Sequence, residues 1–452
     1  MRGLFLISVA SLLYELVLTR VYALAQGHHF AFMAIAAALL GIGASGTLAS
    51  RSPRIRSAPP ASVVAWCGAG VAATAGLAYV TADRFPFDAY RVGVDAWQLL
   101  WLAAYFLVAG VPFVFAGLAT IVTLAADPAR ARLPYFINLV GAGLGALLAV
   151  AVVTVLAPAA GVAVAATIAA LALPVAERRP RMRLAGLVLV GGLAALAGLT
   201  ASTGPRLSPY ADLSHLLRRP GAERVATYRS PGSQVDVVRG ARQRSAPGLS
   251  LAFLGDVPLA AHTVTVDGSD SAVADAPLGD YLAYLPLAPL LQARPVASAL
   301  VLAPVGGPEV GVLLAHGVRA VTVVQPDAAV VRAWEHAPPD APLRDPRVRI
   351  EMRGVREALA GGSGYDLVLW PLRESFQGVA AGAFSLRETY AMTVEAYRDA
   401  WRALNPHGVL LLSRWTQAGP TEAVRAWATL RAALAEVRTP EEQLLAWRSL
   451  ET

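Results

Sequence analysis

The sequence predicts a helical membrane domain of about seven spans, followed by a small β unit and an α/β domain built on a parallel sheet. Three observations predict it. Of 452 residues, 56% are hydrophobic and only 15% charged, with a mean hydropathy of +0.52; soluble domains run near ~45–50% apolar and about 25% charged. The apolar residues gather in long runs before residue 204. After it, short β-rich runs appear, and then strands alternate with helical stretches. The same composition excludes a disordered chain. Cys67, the only cysteine, lies in an apolar run, which excludes a disulfide scaffold and a cysteine metal site.

Seven apolar runs cover roughly 3–25, 29–50, 61–82, 97–125, 134–157, 159–176 and 184–202. At 1.5 Å per residue each is long enough for a hydrocarbon core about 30 Å thick. The first carries Glu15 and Arg20 and lacks a small-residue cleavage site, so it reads as a retained helix rather than a signal peptide. Charge supplies the orientation. The net charge of +7 comes entirely from residues 1–203, where thirteen arginines face six acids; the remainder balances, and lysine is absent throughout. Ten of these arginines fall on one side: Arg2, Arg51, Arg54, Arg56, Arg130, Arg132, Arg178, Arg179, Arg181 and Arg183. The positive-inside rule makes that side cytoplasmic. Seven crossings then place residues 204–452 outside the cytoplasm, whereas an even number would return them. An excess of basic charge that belongs wholly to the apolar half, mostly in short inter-span loops, also removes a nucleic-acid reading.

Inside the spans, Gly41-Ile42-Gly43-Ala44-Ser45-Gly46 matches G-x-G-x-x-G, but no strand precedes it. Small residues there, and Gly141 with Gly145, fit close helix approach. Glu15 is an intramembrane acid and by default a functional candidate, with Arg20 reaching towards the surface. A Glu15 bonded to a neighbouring helix is the plainer reading. His28 and His29 are adjacent and read as interfacial polar residues, so no metal site is expected.

The soluble half divides into a linker and small β-rich subdomain over 204–294, a Rossmann-like domain over 295–436, and a short tail over 437–452. Runs at Val225–Arg229, Gln234–Arg239, Leu249–Leu254 and Thr263–Asp267 predict the small antiparallel unit. Five buried-type runs, Ala299–Ala303, Ala320–Val324, Val348–Glu351, Asp366–Trp370 and Val409–Ser413, alternate with helical patterns and predict βαβ units. A ligand of such a sheet binds beyond the C-terminal strand ends, at the switch point of strand order. The loop after the first strand reads Ala303-Pro304-Val305-Gly306-Gly307-Pro308-Glu309. Gly306 and Gly307 let a backbone approach a nucleotide, whereas the prolines remove donors. After the second strand, where a carboxylate usually holds ribose hydroxyls, stands Gln325, then Pro326 and Asp327.

These residues carry a family resemblance. The chain resembles bacterial integral-membrane proteins that join several spans to a spermidine synthase-like (polyamine aminopropyltransferase-like) domain of methyltransferase-like fold. In the spans it rests on Leu13-Tyr14-Glu15, Thr19-Arg20, Phe30-Ala31-Phe32-Met33 and Leu40-Gly41-Ile42-Gly43. In the soluble half it rests first on Ser230-Pro231-Gly232-Ser233-Gln234-Val235-Asp236-Val237-Val238, Ala246-Pro247-Gly248-Leu249-Ser250-Leu251 and Ala315-His316-Gly317. It continues through Asp345-Pro346-Arg347-Val348, Tyr365-Asp366-Leu367-Val368, Tyr390, Thr393-Val394-Glu395-Ala396-Tyr397-Arg398 and Asn405-Pro406-His407-Gly408-Val409-Leu410. The resemblance implies the bacterial inner membrane and, if the site works, S-adenosylmethionine or its decarboxylated form as cofactor.

It also implies a set of acids, and most are missing. Gln325 replaces the ribose carboxylate, Arg353-Gly354-Val355-Arg356 keeps only the last residue of a Gly-Asp-x-Arg pattern, and Pro371 stands where the catalytic aspartate belongs. Weak catalytic candidates remain in Glu374, Asp280 and Tyr281. Weak cofactor candidates are Gly306, Gly307, Glu309, Gln325 and Asp327. The reading that follows is a membrane protein without catalysis or bound cofactor, acting as a docking, structural or ligand-sensing subunit. An aminopropyltransferase using Glu374, Asp327 or Glu309, and a transporter component using Glu15, are the alternatives. A helical stretch at Thr421–Glu436 followed by a polar tail leaves the sheet without the family's closing strands. An exposed edge of that kind predicts a protein partner or homo-oligomer beside the lipid bilayer.

Overall fold

A computed structural model describes the chain except residues 27–31, 89–90, 93–94, 178, 201–203, 244–245, 247, 276–277, 373–389, 416–420, 437–442 and 448–452. It divides into two compact units, Met1–Ser208 and Pro209–Thr452.

The first unit is helical: α1 Arg2–Gln26, α2 Phe32–Arg51, α3 Pro53–Ser57, α4 Pro60–Arg84, α5 Trp97–Ala125, α6 Arg132–Val155, α7 Pro158–Ala170, α8 Ala172–Ala176 and α9 Pro180–Leu199. Among the described residues seven segments are long and apolar enough to cross a membrane, with α7 and α8 together making one of 19 residues. The sixth apolar run is thus one candidate span with a break between α7 and α8. Pro174 has no amide to donate to the carbonyl of Ala170, so the chain turns at Leu171. The unit buries Leu4, Ile7, Leu13, Tyr14 and Tyr22 of α1 at its centre, while Leu39, Leu147 and Val155 point outward at 68%, 72% and 71% exposure. An outward apolar belt is compatible with a lipid surround and costly in water.

Small residues set the helix spacing. A Cβ added at Gly41 would collide with the Gly110 carbonyl of α5, and one at Gly145 with the Val9 carbonyl of α1. Gly43 faces open space. The glycine pattern in α2 is thus a packing face in which only some positions are used. Glu15 and Arg20 both sit half-buried on α1. His28 and His29 lie outside the described residues.

The second unit begins with α10 Asp212–Leu217 and a four-stranded antiparallel sheet, β1 Glu223–Arg229, β2 Gln234–Gln243, β3 Ala260–Val266 and β4 Asp270–Val273, in that spatial order. Leu249–Leu254, expected as a strand, is a turn: the Leu249 amide donates to the Ala246 carbonyl, and the Phe253 amide to that of Ser250. The Ser250 hydroxyl accepts from the Ala252 amide, so a local side-chain bond replaces the ladder. The fourth strand is instead β4, whose four residues give too short an alternation to read.

A five-stranded parallel sheet follows: β5 Ser298–Leu302, β6 Ala320–Val324, β7 Val348–Glu351, β8 Tyr365–Trp370 and β9 Leu404–Leu412, in the order β7-β6-β5-β8-β9. The helices are α11 Ala288–Ala293, α12 Pro308–Ala315, α13 Ala328–Trp334, α14 Val355–Gly361, α15 Val394–Arg402 and α16 Thr421–Glu436. The order reverses between β5 and β8, which is the switch point and makes the domain Rossmann-like. The central strands are buried on both faces, and one core runs from Val235, Val237 and Val264 of the small sheet to Val301, Val323 and Leu369 of the large one. β9 begins at Leu404, earlier than expected, because its register slips against β8 between the Tyr365 and Leu367 pairings.

Candidate functional site

The switch point brings the loop after β5, the start of α12 and the end of β8 together. Ala303 turns the chain out of β5 with φ +51°, in the left-handed region, and its amide donates to the Val324 carbonyl at 2.7 Å. The loop that follows is held by its own protein on three sides. Gln325, only 2% exposed, donates its amide nitrogen to the Pro304 carbonyl at 2.7 Å, and its oxygen accepts the Asp327 amide at 3.0 Å. The buried indole of Trp334 donates to the Val305 carbonyl at 2.9 Å. The Gly307 amide donates to the Val273 carbonyl of β4 at 3.1 Å. Gly306 is required for this fit, because a Cβ there would collide with the same carbonyl and lie 2.8 Å from the Cβ of Ala272.

Asp327 caps α13 through the Ala329 amide at 2.9 Å, and its second oxygen accepts from the Ser233 hydroxyl. The turn between β1 and β2 therefore lies over the start of α13, and from the last turn of that helix the Arg332 guanidinium stacks 5.2 Å above the Tyr228 ring of β1.

Glu309 stands apart from this corner. It lies in the first turn of α12 and is partly accessible, yet its carboxyl accepts the Leu372 amide from just beyond β8. It thus bridges the two halves of the sheet, one residue beyond Pro371. Burial pushes its pKa up to about 7, although its own amide and that of Leu372 pull the other way.

The remaining candidates separate. Asp280 is exposed in a short 3-10 turn, Asp280–Tyr284, and Tyr281 is buried in the core at 2% exposure. Burial, reinforced by the Asp275 charge, pushes the Tyr281 hydroxyl up to about 12. Glu374 lies outside the described residues. Arg356 bonds Asp399 and Thr393 of the α15 region at 2.9 and 3.1 Å. Among the described residues no group of three His, Cys, Asp or Glu side chains could hold a metal ion.

No protein-family model and no curated protein matches the chain. Among solved structures, a spermidine synthase in complex with the transition state analogue AdoDATO is 15% identical, over 48% of this chain and 62% of that one, with a TM-score of 0.32. The spermidine synthase of Thermotoga maritima is 15% identical over 47% and 62%, with a TM-score of 0.32. A probable spermidine synthase from Corynebacterium glutamicum is 16% identical over 47% and 70%, with a TM-score of 0.31. The chain thus spans 62% of the length of the first two.

The adenosyl donor that the sequence resemblance implies does not fit the corner as built. A donor loop needs free amides and space above its glycines. Here the backbone of β4 fills the space above Gly306, and the Gly307 amide is already bonded. Gln325, where the resemblance would place a ribose carboxylate, is an amide whose two ends are both engaged within the protein. Sequence reading found the loop and Gln325. It missed Trp334 and β4, the two elements that close the loop. For Trp334 a signal existed, since a buried indole N–H requires an acceptor.

Proposed function

We propose that this chain is a multi-pass membrane protein whose spermidine synthase-like domain performs no aminopropyl transfer and serves as a docking or ligand-sensing module of a membrane assembly. One observation carries the reading: Gln325 turns its amide inward onto Pro304 and Asp327, at the position from which a carboxylate would hold a ribose. The absence of acids at Gly354 and Pro371 supports it. Calorimetry on the full chain in detergent, titrated with S-adenosylmethionine, its decarboxylated form and methylthioadenosine, is expected to give no heat at micromolar concentration. Micromolar binding together with turnover of putrescine overturns the proposal.

Arginines concentrated in one set of loops, with seven apolar segments, support a cytoplasmic N-terminus and a soluble half outside the cytoplasm of a bacterial inner membrane. An adenosyl donor is a cytoplasmic metabolite, so a domain on the far side has no use for its pocket. Leu254 is 95% exposed, and the native Cys67 is buried. A Leu254→Cys variant is therefore expected to react with a membrane-impermeant maleimide in spheroplasts. Labelling only after the membrane is opened places the domain inside and removes this support.

A further inference from the structure

The first unit contains a groove that the soluble half does not explain. It has a volume of about 710 Å³ and lies between the α3 connection, α4 and α5. Arg54 and Ser62 line the end nearest the connection, while Val63, Trp66, Phe115 and Leu118 line its walls. Gly70 creates the depth, since a Cβ there would meet the Phe115 ring at 2.5 Å. Trp66 is 59% exposed and forms an open lip. The cavity falls within the size range of small-molecule sites, ~300–1,000 Å³, and its lining is apolar along its length with polarity at one end only.

The Arg54 charge at that end has no ion-pair partner among the described residues. Arg51, Arg54 and Arg56 lie within six residues, and no Asp or Glu occurs anywhere between Glu15 and Asp83. None of the three arginines forms an ion pair with another described residue. α3 is a five-residue helix capped by the Ser52 hydroxyl, which accepts from the Ile55 amide, so this cluster is built into a folded connection rather than a loose loop. An apolar channel ending at the Arg54 guanidinium, with Arg51 and Arg56 close by in sequence, matches an amphiphile with a hydrocarbon tail and an anionic head. Guanidinium pairs with phosphate in a bidentate manner, which choline-masked headgroups offer less well.

We propose that this groove binds an anionic phospholipid, with one acyl chain along Val63, Trp66, Phe115 and Leu118 and the headgroup phosphate at Arg54. The proposal rests on the reading that the seven apolar helices span a bilayer. It assigns the arginine cluster a recognition role beyond setting orientation, as basic pockets beside spans commonly have.

The test is native mass spectrometry of the full chain released from nanodiscs of equal parts phosphatidylglycerol and phosphatidylcholine. The wild type is expected to retain phosphatidylglycerol in preference to phosphatidylcholine. Arg54→Gln is expected to reduce that preference about fivefold, near the effect of one cation at an anionic surface. Ala73→Trp, which fills the groove from a lining position and leaves the charge intact, is expected to abolish retention of either lipid. Adding inorganic phosphate in solution is expected not to displace the lipid, because the tail supplies part of the binding. Equal retention of the two lipids by a well-integrated wild type overturns the proposal alone, as does an unchanged preference in both variants or displacement by free phosphate. Failure of the chain to integrate into nanodiscs overturns the membrane reading and the proposal together.

Discussion

Replacing Gln325 by glutamate, the residue type that would restore a ribose-binding carboxylate, is expected to destabilise the soluble half by about 2–4 kcal/mol at neutral pH. The donor that reaches the Pro304 carbonyl at 2.7 Å becomes an oxygen facing an oxygen, at a site only 2% exposed. An ionised carboxylate cannot be satisfied there, because it must give up that contact and still lacks water. A protonated one can donate to the same carbonyl. The variant should therefore recover stability as the pH falls and lose it as the pH rises, the sign of a carboxyl whose pKa is raised in the folded state. Thermal unfolding followed by tryptophan fluorescence at several pH values measures this. A variant as stable as the wild type at pH 8, or one that acquires micromolar affinity for an adenosyl donor, contradicts the account of a closed corner.

The second large effect is a gain. Glu309→Gln is expected to stabilise the soluble half by about 3 kcal/mol at pH 8, since its carboxyl is raised from 4.5 to about 7 and each pH unit between those values is worth about 1.4 kcal/mol. The sign follows from proton binding. Between about 4.5 and about 7 the folded state holds a proton on Glu309 that the unfolded chain has released. Its contribution is therefore complete below about 4.5, is lost as the pH rises through about 7, and is flat above. Glutamine is neutral at every pH and keeps an oxygen for the Leu372 amide, so the variant should show no dependence in this window. Hydrogen exchange of the β5 and β8 amides across pH 4 to 8 reads the difference at the site itself. Equal protection of both proteins at pH 8 would show that Glu309 reaches solvent freely.

Much of the architecture was legible before any coordinates. Long apolar runs cannot satisfy their backbone groups in lipid except as helices, so their lengths and positions read directly. The buried strands read equally well, because parallel strands covered on both faces lack polar alternation. β4 did not, since four residues carry too few periods. Leu249–Leu254 alternates convincingly, yet Ser250 and the Ala246 carbonyl bond it locally into a turn. Several residues of the motifs that carry the resemblance make bonds within the fold. Asp366 accepts from Asn405, Ala297 and Ser298 at the opposite end of the sheet from the switch point, which holds its carboxyl below the usual range. Thr393 caps α15 and receives Arg356.

Residue types and their spacing thus sufficed for the long apolar helices, the parallel sheet and the position of the glycine loop, because each follows from local chemistry or from one periodic pattern. Where polar atoms turn does not. Gln325 facing Pro304, Trp334 holding Val305, β4 seated above Gly306, Glu309 reaching Leu372 and Arg54 at the mouth of an apolar groove all join segments far apart along the chain. Their pairings arise only when packing chooses which of several available partners is close enough to bond.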